Sequence, residues 1–147
     1  MSKKPRTGND ASKPQSVLDG VEASLPALAH AMEFQRRVAA VGFDWPQVDQ
    51  VLEKIEEELQ EIRHEIREAA GHDRLEDEIG DLLFVCVNLA RHMKVDPEHA
   101  LQRANVKFAR RFRRIEEMLS QRGRRPDESS LEEMDDLWNQ VKSEERA

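Results

Sequence analysis

From Val48 to Ile66 the apolar residues Val48, Val51, Leu52, Ile55, Leu59, Ile62 and Ile66 return every three or four positions. That interval is the period of an α-helix, and it sets the seven on one stripe of a helix running from about Pro46 to Ala70. A strand would need alternation at every second position, and no segment of the chain competes with such a signal. The same reading extends in both directions. Pro26 opens a first helix through LAHAMEFQRRVAAV, which Gly42 ends; GFDWPQ is a turn in which Asp44 is a candidate N-cap. Gly71 suits the C-cap of the second helix and Asp73 the N-cap of a third, from about Arg74 to Met93. Asp96, Pro97 and Glu98 start a fourth helix carrying Leu101, Ala104, Phe108, Phe112, Ile115 and Leu119. RGRRPDESS is a loop, and Ser130 caps a last helix, LEEMDDLWNQVK, with Glu133 completing a capping box. The expectation is an all-α chain, a four-to-five-helix antiparallel bundle with short connections.

The third helix is apolar nearly all round between Leu82 and Ala90, more than one small bundle can cover. The bundle is therefore expected to be completed by dimerisation, as a homodimer or higher homo-oligomer. A length of 147 residues allows one domain. Residues 1–20 are rich in Lys, Pro, Ser and Gly and read as a disordered arm, leaving 21–147 as the folded domain. A net charge of −7 argues against a general nucleic-acid or membrane-surface binder. Nothing near Met1 resembles a signal peptide and the longest apolar stretch is too short to span a bilayer, so the expected location is cytoplasmic. The single cysteine, Cys86, lies in FVCVNLA and reads as a small buried core residue rather than a reactive thiol.

Acidic residues stand where this apolar pattern leaves no ordinary use for them. Glu58 sits at the edge of the second helix's stripe, and Glu61 follows three residues later. On the third helix Glu78 and Asp81 repeat that spacing, and Asp81 runs straight into LLFVCV. Two such pairs on adjacent antiparallel helices bring four carboxylates into one small space. There they repel, and burial penalises their charge, unless protons, basic partners or hard cations compensate. Oxygen-only ligands point to Mg²⁺, with Mn²⁺ as a possible substitute, rather than zinc; His64, His72, His92 and His99 show no zinc-binding spacing. A solvated acidic helix face is the plainer alternative for EKIEEELQE, and it leaves open a non-catalytic helical interaction module with a charged surface.

Opposite charge comes later. Arg103, Lys107, Arg110, Arg111, Arg113 and Arg114 fall within twelve positions that contain no acid. Lys107 and Arg111 lie one turn apart on one face, while Phe108 and Phe112 point toward the core. Such a face is either a solvated partner for acidic helices or a phosphate clamp. Trp138 with Lys142 offers a stacking surface and one more cation, or Trp138 packs its helix down. A carboxylate cage with a basic face suits a metal–polyphosphate ligand such as a nucleotide.

These residues resemble a known family. EExxE at Glu57-Glu58-Leu59-Gln60-Glu61, followed by ExxD at Glu78-Ile79-Gly80-Asp81, resembles the signature of the all-α nucleoside triphosphate pyrophosphohydrolases. LPALAHAMEFQRRVAAVGFDWPQV, LEDEIGDLLFVCVNLARHM, ALQRANVKFARRFRRIEEML and MDDLWNQVK resemble the MazG branch, from about Val17 to the C-terminus. The likeness is to the C-terminal copy of members that carry two such domains. It implies a dimeric helical bundle that hydrolyses ribo- or deoxynucleoside triphosphates to monophosphate and pyrophosphate with Mg²⁺. By position it implies Glu58, Glu61, Glu78 and Asp81 as metal ligands, Lys107 and Arg111 as phosphate contacts, and Trp138 and Lys142 as nucleotide contacts. Glu61 is the choice for the catalytic base. The role implied is the housecleaning or control of nucleotide pools.

Overall fold

The computed structural model describes residues 15–147. It consists of α1 (Ala27–Ala40), α2 (Val48–Arg67), α3 (His72–His92), α4 (Pro97–Gln121) and α5 (Leu131–Arg146), with one 3₁₀ turn at Pro126–Glu128. No strand occurs among the described residues, and the all-α expectation is met. No described helix is long and apolar enough to cross a membrane. Of the arm expected over residues 1–20, positions 1–14 lie outside the described residues. Residues 16–19 form a hydrogen-bonded turn, and the carbonyls of Val17 and Asp19 accept from Arg37 of α1. The chain divides into two compact units, one ending at Lys94 and the other starting at Val95.

In the first unit α2 and α3 run antiparallel. Glu65 pairs with Arg74 near the connection, and Glu58 meets Asp81 two turns further along each helix. α1 runs the same way as α3: Gln35 Nε2 donates to the Phe84 carbonyl at 2.8 Å, and Asp44, just past α1, accepts from Arg91 and His92. That pairing corrects the expected cap. A charge-assisted contact takes the Asp44 carboxylate, and α2 starts later, behind Gln47, whose N–H donates to the Gln50 side chain at 3.3 Å. The other end of α2 differs too. Ala69, with φ of 50°, takes the left-handed conformation expected of a glycine, while Gly71 is the extended residue before α3 and Asp73 lies in its first turn.

Val51, Val85 and Val87 are buried in this unit. Leu52, Leu59 and Ile66 on α2, and Ile79, Leu83 and Phe84 on α3, are exposed. Cys86 is also exposed, which corrects its expected burial. It stands about 100° around the helix from both Val85 and Val87, on the side they leave outward.

In the second unit α4 and α5 pack antiparallel around Ile115, Met118, Leu119, Leu137 and Val141, with Phe112, Met134 and Trp138 against them. The expected caps are present: Asp96 Oδ1 accepts from the His99 N–H and Ser130 Oγ from the Glu133 N–H, each at 3.1 Å. The capping box at Glu133 is not formed, because its carboxylate turns to the guanidinium of Arg124, 2.7 Å away, and to Arg122. Phe108, expected to face the core, is 58% exposed and stacks on Phe112 with ring centroids 6.0 Å apart.

Candidate functional site

The antiparallel pairing of α2 with α3 sets the acids of one helix beside those of the other. Oxygens of Glu58, Glu78 and Asp81 all lie within 4.8 Å of one another. Glu58 is only 4% exposed and Glu78 half-buried, whereas Asp81 and Glu61 reach solvent. Glu58 Oε1 is held by Lys54 Nζ at 2.9 Å, which leaves its Oε2 buried with no hydrogen-bond partner; Glu78 Oε2 is in the same condition. Unpaired buried carboxylate oxygens are costly, and two of them beside a third acid form a group whose oxygens could hold a cation. Glu61 is not one of the converging three, but it acts on Glu78. The Glu78 carboxyl is pushed above its ordinary value first by desolvation, then by the charge of Glu61 and a hydrogen bond with it, then by Asp81 and Glu58. Among the described residues His72, Asp73 and Glu76 also converge, but all three are exposed and lack buried, unpartnered oxygens.

Not every acid on α2 belongs to this group. Glu65 is buried yet answered by Arg74, and Glu57 shares Lys54 with Glu58 at 2.9 Å. Lys54 is held above its ordinary value chiefly by its hydrogen bond to Glu58 and then by that to Glu57, so it stays charged beside the cluster.

A second feature of this unit was not anticipated. α1, the 42–45 turn and α3 line a half-open cavity of about 580 Å³, walled by Phe34, Phe43, Trp45 and Phe84, with Gln35, Asn88 and Arg91 also lining it. Gln35 is 4% exposed, and its Oε1 has no partner. Asn88 is buried and its Oδ1 accepts from Arg91 Nε at 3.0 Å, so this amide is partly satisfied while lining the cavity. Asp81, Phe84, Asn88 and Arg91 occupy one face of α3, so the cavity continues the line of the carboxylates along that helix. The sequence signal was faint: Gln35 sits among apolar neighbours in α1, 49 residues before the Phe84 it meets.

The second unit holds the basic residues. Lys107 is exposed on α4; with Arg103 and Arg110 it lines an open depression of about 680 Å³. Arg111, one turn after Lys107, is half-buried, its guanidinium 5.4 Å above the Trp138 ring. Glu145 of α5 takes Arg111 at 2.8 Å and Arg110 at 2.8 Å. Trp138 also packs on Phe108, with centroids 5.5 Å apart, and Lys142 is half-buried one turn later on α5. Trp138 therefore both packs α5 against α4 and carries Arg111 on its face.

Residues 47–115 match the MazG nucleotide pyrophosphohydrolase domain. That stretch contains Glu58, Glu61, Glu78, Asp81, Lys107 and Arg111; Trp138 and Lys142 lie beyond it. The chain is 46% identical over 142 residues to the nucleoside triphosphate pyrophosphohydrolase of Escherichia coli K12, covering 95% of this chain and 54% of that protein. It is 42% identical over 130 residues to the nucleoside triphosphate pyrophosphohydrolase/pyrophosphatase MazG of Thermotoga maritima, covering 88% of this chain and 49% of that one. The chain thus spans about half the length of the curated relatives it matches. The helices and the acidic signature agree with these matches, and residues 47–115 are similar to the MazG nucleotide pyrophosphohydrolase domain.

Proposed function

We propose that this chain hydrolyses nucleoside triphosphates, ribo- or deoxy-, to nucleoside monophosphate and pyrophosphate in a Mg²⁺-dependent reaction. One observation carries the reading: Glu58, Glu78 and Asp81 converge within 4.8 Å while two of their buried oxygens have no partner. The names of the relatives support the same activity. The donor set fits the cation, since all the oxygens are hard and anionic. Glu58, Glu61, Glu78 and Asp81 would hold Mg²⁺, and Mn²⁺ can substitute in such a set.

When bound, the cation supplies Lewis acidity and neutralises phosphate charge. The chain's own groups do the rest. Glu61, exposed and beside Glu78, takes the proton of the attacking water as its oxygen bonds to the α-phosphorus. The bridging P–O bond to the β-phosphate breaks, and the electron pair leaves on pyrophosphate. Lys107 and Arg111 neutralise charge on the phosphates, and Trp138 and Lys142 contact the nucleotide. The aromatic-walled cavity suits a flat heterocycle, with Gln35 Oε1 available to accept from its edge. The reading places the activity in residues 21–147 and assigns the chain to a homodimer or higher homo-oligomer in the cytoplasm.

Incubation with each nucleoside triphosphate and Mg²⁺, with products resolved by anion exchange, tests this directly. Monophosphate and pyrophosphate in equal amounts are expected, without orthophosphate. Absence of both products, with a melting temperature indifferent to Mg²⁺ and to chelator, would favour the interaction module instead.

A further inference from the structure

The proposed function takes Arg111 as a phosphate contact, and resting on that reading, we propose that Glu145 is its positioning residue. A guanidinium is a flat fork with several donor edges, and a phosphate is best held when only one of them is offered in a fixed direction. Glu145 Oε2 accepts from Arg111 Nε at 2.9 Å and lies 2.8 Å from Nη2. That occupies the Nε–Nη2 edge. The Trp138 ring, 5.4 Å from Cζ, occupies one face. An edge held by ions and a face held by a ring fix both the rotation and the tilt of the group, and the edge carrying Nη1 is the one left for a ligand.

The other Glu145 oxygen accepts from Arg110 Nε at 3.0 Å and from Nη2 at 2.8 Å. One carboxylate in the last turn of α5 therefore braces two consecutive arginines of α4. Both arginines, Arg111 first, hold the Glu145 carboxyl below the usual range, so the brace is ionised across neutral pH. Glu145 also places a negative charge near a site meant for anions, which opposes binding. That charge is part-exposed and screened by solvent, whereas the constraint on Arg111 is not. Positioning wins on this account: Arg side chains lose substantial rotamer freedom on binding, and a group already held in place loses less.

The experiment uses the whole chain and two readouts. In the turnover assay Glu145→Ala is expected to raise KM for a nucleoside triphosphate by about tenfold with kcat within about twofold, as lost ground-state positioning should. Glu145→Gln, which keeps one acceptor oxygen, should fall between the wild type and Glu145→Ala. In an Arg111→Ala background the Glu145→Ala effect should vanish. Calorimetric titration with inorganic tripolyphosphate in the presence of chelator should show the same ordering in Kd, independent of turnover. An unchanged or lowered KM, an effect that survives removal of Arg111, or no tripolyphosphate binding by the wild type overturns the proposal. If the wild type releases no pyrophosphate, the proposed function fails on its own; the tripolyphosphate titrations then still decide whether Glu145 positions Arg111.

Discussion

At Glu78 the chain carries an acid whose surroundings work against its charge. Desolvation is the largest influence, and three neighbouring carboxylates add to it. The sign of the consequence follows from proton binding. A carboxyl that binds its proton more tightly in the folded chain than in the unfolded one weakens the fold as pH rises through its raised pKa. The metal-free protein should therefore gain stability as pH falls toward the upper carboxylate range. Glu78→Gln should lower turnover by roughly 100-fold or more while leaving the melting temperature in chelator equal to or above that of the wild type. Parallel kinetic and melting measurements check this, and a variant that lost stability as well as activity would mean that Glu78 is a structural acid. The acids themselves were legible from their spacing, because two residues three apart share a helix face. Their ranking was not: that Glu58 is sealed, Glu78 half-sealed and Glu61 open depends on side-chain packing that no spacing encodes.

At the scale of elements, helices were read well and their ends less so. Asp96 and Ser130 cap where their sequence neighbourhood says they should, because a cap is a contact within three residues. Asp44 departs from that reading because Arg91 and His92, 47 and 48 residues away, compete for it. The same long-range argument hid the aromatic-walled cavity, which exists only once α1 lies beside α3. Asp44 therefore links the end of α1 to the last turn of α3. Burial raises its pKa, but the hydrogen bonds from Arg91 and His92 and their charges outweigh this, leaving it below 3.8. Its contribution to stability is present above pH 3.8 and disappears as the pH falls through the lower folded value. Asp44→Asn should cost about 1 kcal/mol at neutral pH, or roughly 2–4 °C in melting temperature. The deficit should shrink as the pH is taken below 3.8, which melting curves across an acid series will show. A deficit that persisted there would place the effect in packing instead.

For the molecule as a whole, the most telling pattern is which side chains stay in water. On α2, Val51, Glu58 and Glu65 are the buried residues, while Leu52, Leu59 and Ile66, each one position later, are exposed. On α3, Leu83 is 55% exposed although it belongs to the most apolar run of the sequence. Periodicity identified an amphipathic stripe but could not say whether the cover for it belongs to the same chain. We propose that a second copy covers it. Leu83→Arg should move the wild-type oligomer to the monomer in light scattering at the same concentration, with secondary structure retained. A wild type that is monomeric at high concentration would sink this. The exposed thiol of Cys86 lies on that same helix, and as the only cysteine in the chain it is a ready-made chemical reporter. Its alkylation rate, followed as the protein is diluted, measures how long the α3 face stays uncovered, with no label engineered in.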